Sequence, residues 1–456
     1  MPDISARPFA PLVTEQRRYF ATSATLALER RQNALRALRD AVREHERSAL
    51  DALHEDLGKS SMEGYLTEVG MVLSEITVML RRLKDWMRPR RAGSLLSAWP
   101  AVCRIYPEPL GVALIFSPWN YPFQLALLPL AAAVAAGNCV ILKPSKTAPA
   151  TAAVLTAILR EAFAPEFAAS VNAGGDAATA LLRERFDFIL YTGSGRVGHI
   201  VMEAAARHLT PVCLELGGKS PVIVAADAKL DVAAKRIAWG KSLNAGQTCI
   251  APDYVWVDRA VRAELIRRLN QSFTSLLGPD PVHNENYGRI INRKAFDRLL
   301  GLTAVPLAAD RDLLKIAPCV LEAEPDDPVM REEIFGPLLP VLAYDHIEQA
   351  LDHIRAHDKP LALYLFTGDR TLQKRVLQSV PFGGGCINDT VVHASSHNLP
   401  FGGVGPSGMG RYHGKSGFEL FSNLKSVLRQ TTLLDLPFRY PPYSPGRFAL
   451  LRRIIR

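Results

Sequence analysis

Between residues 111 and about 225, short apolar runs alternate with alanine-rich helical stretches. The runs are "VALIFSP", "CVILKPS", "FDFILYTGS", "TPVCLELGG" and "PVIVAAD", with helical patterns between them at 123–136, 148–163 and 197–207. Strands that are apolar at successive positions are buried on both faces, which requires parallel βαβ units covered by helices. A second alternating stretch from about 228 to 420 contains "YVWVD", "LLPVLAY" and "ALYLFTG". The first 85 residues read as helical: Leu35, Leu38 and Val42 mark one apolar face, and Leu50, Leu53 and Leu57 another. A basic break at 88–101 leads into a candidate strand, "AVCRIYPEPLG". The expected architecture is α/β: two α/β domains with a small extra element near 88–108.

A chain of 456 residues has room for two or three domains, and 48% hydrophobic with 22% charged residues suits a globular protein with a large core. The net charge of +9 is local in origin: three arginines fall in "MRPRR" (87–91) and five in the last eighteen residues. No RNP, zinc-finger or basic-zipper pattern accompanies it, which argues against a nucleic-acid partner. The six cysteines, Cys103, Cys139, Cys213, Cys249, Cys319 and Cys386, form no CxxC pair. Neither a metal site nor a disulfide framework is expected, and free thiols suit a reducing, cytoplasmic location. "MPDISARPFAPLV" has an early Asp, two prolines and no apolar core, so it does not read as a signal peptide. The run "LALLPLAAAVAAGNCVIL" (125–142) is broken by Pro129, Gly137 and Asn138, and reads as helix, turn and buried strand.

Several loops carry chemistry. Cys249 sits alone in "NAGQTCIAPDY", a polar loop with Gly246 just ahead of a strand; a thiolate is the strongest side-chain nucleophile near neutral pH. "IFSPWNYP" fixes Asn120 between Trp119 and Tyr121, where a carboxamide can donate to a developing oxyanion or simply stabilise the turn. In "CLELGGKSP", Glu215 ends a buried strand beside two glycines, either as a general base of raised pKa or as a salt-bridged structural carboxylate. The turn "TGSGRVG" links a strand to a helix and spells G-x-G-x-x-G from Gly193, a weak signal that a plain βα turn also explains. Lys143 leaves the carboxyl end of a strand in "LKPS", and "REEIFGP" carries Glu332, Glu333 and Phe335.

In order along nearly the whole chain, "PWNYP", "LKPS", "GSGRVG", "LELGGKSP", "GQTC", "EEIFGP" and "LPFGGVGPSGMGRYHGKSGF" closely resemble the aldehyde dehydrogenase superfamily. "GQTCIAPDY" and "RYHGKSGFELFS" are most similar to its class 3 branch, which includes fatty, aromatic and coniferyl aldehyde dehydrogenases. The resemblance implies the family fold: a Rossmann-like cofactor domain (1–87 and 109–217), a catalytic domain (218–421) and a small β bridging element (88–108 and 422–435) that makes homodimers, with a basic tail at 436–456. It implies oxidation of an aldehyde to a carboxylic acid with NAD or NADP. Cys249 would form the thiohemiacetal, Asn120 and the Cys249 N–H would hold its oxyanion, and Glu215 would activate water against the thioester. Lys143 and Glu333 would hold ribose hydroxyls, Phe335 the nicotinamide side, and Gly193, Ser194 and Gly198 the pyrophosphate turn. Trp119, Ser145 and Lys146 complete the implied cofactor set.

Two departures from the family pattern stand out. Lys146 occupies a position where the family often has Glu; an ammonium there attracts a 2′-phosphate, so NADP is expected to be accepted at least as well as NAD. The stretch 302–316 looks short for the family. Tyr65, Trp119, the loop 389–398 and His413 are candidates for the aldehyde pocket. The tail alternates Arg447, Arg452, Arg453 and Arg456 with apolar residues, a short basic amphipathic helix and a candidate for weak peripheral attachment to a membrane surface. A CoA-acylating semialdehyde dehydrogenase, or a catalytically silent structural or binding protein on the same fold, are the alternative functions.

Overall fold

Val112–Phe116, Cys139–Lys143 and Phe188–Thr192 are buried almost throughout and pair in parallel, as their unbroken apolar runs require. In this computed structural model, which describes residues 8–94, 98–172, 175–435 and 440–454, they form the centre of a six-stranded sheet. Its order is Gly408–Met409, Val212–Glu215, Phe188–Thr192, Val112–Phe116, Cys139–Lys143, Ala168–Ser170. From Val112–Phe116 the chain first builds outward to one side, then returns to build on the other. The switch point therefore lies between the carboxyl ends of Val112–Phe116 and Phe188–Thr192, where open α/β sheets take ligands. Those ends run directly into Trp119–Asn120 and Gly193–Ser194.

A second six-stranded sheet is wholly parallel, in the order Cys319–Glu322, Leu338–Tyr344, Tyr254–Asp258, Pro221–Val224, Ala362–Phe366, Gly384–Ile387. Side-chain alternation splits it between two cores. Val222, Val255, Val341 and Tyr364 join the core of the first unit, while Ile223, Trp256, Leu342 and Leu363 pack into a separate one. The loop bearing Cys249 enters this sheet at the amino end of Tyr254–Asp258, whereas Glu215 ends a strand of the first sheet. A third, antiparallel sheet joins Arg90–Ala92, Val102–Pro109 and Ser422–Arg429.

The N-terminal region is helical as its periodicity predicts, with Leu35, Leu38, Val42, Leu53 and Leu57 fully buried. It is interrupted by one π-helical turn, Tyr65–Val69, which sequence pattern does not announce. The apolar run near 125–142 is a wholly buried helix, Gln124–Ala136, ended by Gly137 at φ 92° and followed by Cys139–Lys143. The strand Ala168–Ser170 and the helix Gly175–Leu181 were too short to read from pattern. The stretch 302–316 holds a minimal antiparallel pair, Ala309–Asp310 with Lys315–Ile316. Pro445–Ile454 is helical. Among the described residues, no helix is long and apolar enough to cross a membrane.

Gly408–Met409 pairs antiparallel with Val212–Glu215, and Phe418 on the following helix packs its ring 5.9 Å from Trp86. Residues 408–420 thus pack against elements of the first sheet and the N-terminal helices. A two-residue strand set among glycine turns has no periodicity from which this could be read.

Candidate active site

The thiol is placed by a turn of rare geometry. Asn244, Ala245 and Gly246 all have positive φ, at 51°, 51° and 77°, which costs an L-residue such as alanine about 1–2 kcal/mol. Surrounding bonds hold it. The Asn244 N–H donates to Glu63 Oε1 at 2.6 Å, Asn244 Nδ2 to the Asn120 carbonyl at 2.7 Å, and the Ile291 N–H to Gln247 Oε1 at 2.9 Å. A Cβ on Gly246 would come within 2.2 Å of the Gly336 carbonyl oxygen, so only glycine lets this turn close on the "IFGP" loop. Burial raises the pKa of Cys249, and the charges of Glu333 and Glu215 raise it further. Both effects favour the neutral thiol over the thiolate.

Asn120 follows the strand Val112–Phe116 and is buried, with Nδ2 donating to the Gln247 carbonyl at 3.1 Å. An amide nitrogen has two donors, so one remains for a ligand. Glu215 is only 3% exposed; Oε1 lies 3.9 Å from Cys213 Sγ and Oε2 has no partner among the described residues. Burial lifts its pKa well above the carboxylate range, offset in part by the charge of Arg411 and by the Cys213 thiol. Once ionised, such a group is a stronger base than an ordinary carboxylate.

Two cavities meet at these residues. Cys249, Glu215, Thr192, Leu125 and Leu216 line both. On one side lie Trp119, Asn120, Gly193, Ser194, Gly195, Glu333 and Phe335, a loop-built lining more polar than that of the other cavity. On the other lie Met71, Trp239, Val392, Phe401, Tyr412 and His413, an almost wholly apolar wall. Within the polar cavity the Trp119 and Phe335 rings meet edge to face, 5.4 Å apart. Phe335 itself has a positive φ of 48°. Glu333 has its pKa raised to about 8, by burial first and Asp253 second, against the Gly218 N–H and the charges of Lys219 and Lys241.

The polar side fits a dinucleotide. Gly193 has φ 157°, and a Cβ there would meet Tyr191 Oη at 2.3 Å; a Cβ on Gly217 would meet Glu333 Oε2 at 2.1 Å. Ser194 is the N-cap of the helix Gly195–Ala206, and its side chain makes no cap bond. A bare helix amino end beside side-chain-free backbone suits a pyrophosphate. Other expected cofactor residues lie apart from this lining. Lys143, Ser145 and Lys146 follow the next strand over, Cys139–Lys143, with Lys146 exposed and Ser145 Oγ accepting from the Thr147 N–H at 3.2 Å. Burial lowers the pKa of Lys143, and the like charge of Lys146 lowers it further. Gly198 is one turn into the helix and buried, where a Cβ would come 3.0 Å from Leu216; its place is helix–sheet packing.

On the apolar side, His413 and the loop residues Val391, Val392, Ala394 and Ser395 line the cavity, as their motifs suggested. Tyr65 does not; its neighbours Leu66 and Thr67 do. Trp119 falls on the polar side. Leu66, Met71, Trp239 and Tyr412 were not legible as wall residues, because each is an ordinary apolar residue of a helix or turn. Among the described residues there is no cluster of His, Cys, Asp and Glu able to hold a metal ion.

A thiol and a buried carboxylate shared by a loop-lined cavity and an apolar one are groups that could serve a covalent oxidation of an aldehyde. Comparison with known proteins agrees. The model of the aldehyde dehydrogenase family matches residues 1–427. The chain is similar to aldehyde dehydrogenase family 3 member H1 of Arabidopsis thaliana, 43% identical over 97% of this chain and 94% of that one. It is similar to the dimeric NADP-preferring aldehyde dehydrogenase of Rattus norvegicus, 42% identical over 95% and 98%. Its fold superposes on the substrate-bound state of Staphylococcus aureus AldH with a TM-score of 0.95, at 39% identity and full coverage of both chains. The chain therefore belongs to the aldehyde dehydrogenase family, with class 3 members among its relatives, and is an NAD(P)-dependent oxidoreductase of aldehydes.

Proposed function

We propose that Cys249 is the nucleophile, Asn120 the oxyanion donor and Glu215 the base for water, acting on medium- or long-chain aliphatic or aromatic aldehydes. The observation that carries this reading is that Cys249 and Glu215 line both cavities at once. An aldehyde entering through the apolar side presents its carbonyl carbon to Cys249 Sγ. As the S–C bond forms and the thiol proton leaves to solvent, Asn120 Nδ2 and the Cys249 N–H receive the oxyanion, stabilising charge that develops only in the transition state. Bound NAD(P) supplies the hydride acceptor. Glu333 and Lys143 would hold its ribose hydroxyls, Trp119 and Phe335 its nicotinamide side, and Gly193 and Ser194 its pyrophosphate. Glu215 Oε2, free of other bonds, then takes a proton from water, whose oxygen attacks the thioester and releases the carboxylic acid.

Lys146 favours acceptance of NADP, in keeping with the NADP-preferring rat relative. The antiparallel sheet of Arg90–Ala92, Val102–Pro109 and Ser422–Arg429 would join two copies, in keeping with that relative's dimeric state. The test is a panel of aliphatic and aromatic aldehydes assayed with NAD and NADP in parallel, following reduced nicotinamide, with Cys249→Ala as control. Turnover is expected with long or aromatic aldehydes and a fall of at least about 10⁴-fold in the variant. A rate that needs CoA would replace water by a thiol as acceptor and remove Glu215 from its role. Unaltered turnover in Cys249→Ala would overturn the assignment of the nucleophile.

A further inference from the structure

Beneath Asn120 lies an ion pair with no contact to solvent. Lys59 and Glu68 are both 0% exposed, with Lys59 Nζ 2.6 Å from Glu68 Oε1. The other donors of Lys59 are also engaged: one goes to the Asn120 carbonyl at 3.0 Å, and the ammonium lies 3.9 Å from the centre of the Tyr121 ring. Glu68 Oε2 accepts from the Phe123 and Gln124 N–H groups, each at 2.9 Å, at the start of the helix Gln124–Ala136. The pair thus grips the chain on both sides of residues 120–124. Tyr121 carries the grip onward, its hydroxyl 2.6 Å from Thr248 Oγ1 beside the nucleophile. A buried ion pair is a poor stabiliser compared with apolar packing, so its value is sought in what it positions.

We propose that Lys59 and Glu68 are positioning residues for the oxyanion donor, fixing the Asn120 carboxamide through its own backbone carbonyl. The proposal rests on the reading of Asn120 given above. The π-helical turn adds a second link. Its extra residue is closed by the Gly70 N–H donating to the Tyr65 carbonyl, and the same turn gives Glu68 to the buried pair and Leu66 and Thr67 to the apolar cavity. A π-bulge at such a place is typical of functional sites. The wall that meets the aldehyde and the group that holds its oxyanion are therefore anchored on one turn.

The test is a double-mutant cycle. In Lys59→Met/Glu68→Gln both charges leave together, so neither is stranded in the core. The variant should bind cofactor with unchanged affinity and keep KM for aldehyde within about threefold, while kcat falls about 10–100-fold, as a displaced oxyanion donor requires. The same pair of changes made on Asn120→Ala should cost less than about threefold, because the donor they position is gone. Equal losses in both backgrounds, or wild-type kcat in the folded variant, would overturn the proposal. If Asn120→Ala alone leaves kcat intact, the oxyanion assignment fails first and the positioning role falls with it. Should the double change not fold, Lys59→Met alone, which leaves Glu68 able to stay neutral by taking up a proton, carries the same cycle.

Discussion

On one side of Cys249 the cavity is walled by loops, two glycines where a Cβ would crowd Tyr191 or Glu333, and a helix amino end; on the other it is walled by side chains from separate helices and loops. The first wall, with the side chains of Trp119, Glu333 and Phe335, faces the space proposed for what every turnover shares, the cofactor. Side chains recognise what differs between substrates, the body of the aldehyde. Changes at the junction should therefore abolish chemistry, changes on the polar side should alter which dinucleotide is used, and changes on the apolar side should alter only which aldehyde is taken.

The largest effect short of losing the thiol is expected at the junction. Glu215→Gln should lower steady-state turnover about 10²–10³-fold, the range of a lost general base. Rapid mixing should still show about one equivalent of reduced cofactor per site, because thioester formation precedes the water step. Loss of that burst together with turnover would place Glu215 in acylation instead. The pH dependence follows from burial, which raises the pKa of Glu215. Below that raised value the carboxyl is protonated and cannot accept a proton from water, so kcat should climb as pH rises through it. In Glu215→Gln this climb should disappear.

The two sides differed just as much in how far the sequence disclosed them. Gly193, Cys249, Glu333 and Phe335 are held by local backbone demands, such as a positive φ or a missing Cβ, and local demands leave short motifs. Met71, Trp239 and Tyr412 meet only through tertiary packing, and an apolar residue on a helix carries no mark of which surface it will line. Lys59 and Glu68 were hidden for a related reason. Charged residues in a helical stretch read as a solvated face, and nothing local foretells that both are fully enclosed. The sheets themselves were legible because doubly buried strands need continuous apolar runs. The two-residue strand Gly408–Met409 was not, because so short a pair has no periodicity.

A middling effect is expected on the cofactor side. Lys146 is exposed and follows the strand that carries Lys143. Lys146→Glu replaces attraction for a 2′-phosphate by repulsion and gives the adenine-side ribose a carboxylate acceptor, so the NADP-to-NAD ratio of kcat/KM should drop about 10–100-fold. Raised ionic strength should shrink the difference, since the side chain sits in water. A ratio that does not move would detach Lys146 from cofactor choice.

The smallest effect is expected on the apolar wall, where many residues share the contact. Trp239 is half-buried on the helix Leu230–Ser242 and lines the cavity together with Val392. Trp239→Ala removes part of the surface that desolvates the aldehyde tail, worth about 1–2 kcal/mol for the methylenes it touches. KM for a long-chain aldehyde should then rise about tenfold with kcat nearly constant, the pattern of lost uniform binding. A short aldehyde, which does not reach the wall, should be unaffected. If the short and long substrates lose equally, Trp239 acts on the neighbouring Cys249 turn, and the separation between a wall that selects and a junction that reacts breaks at that helix.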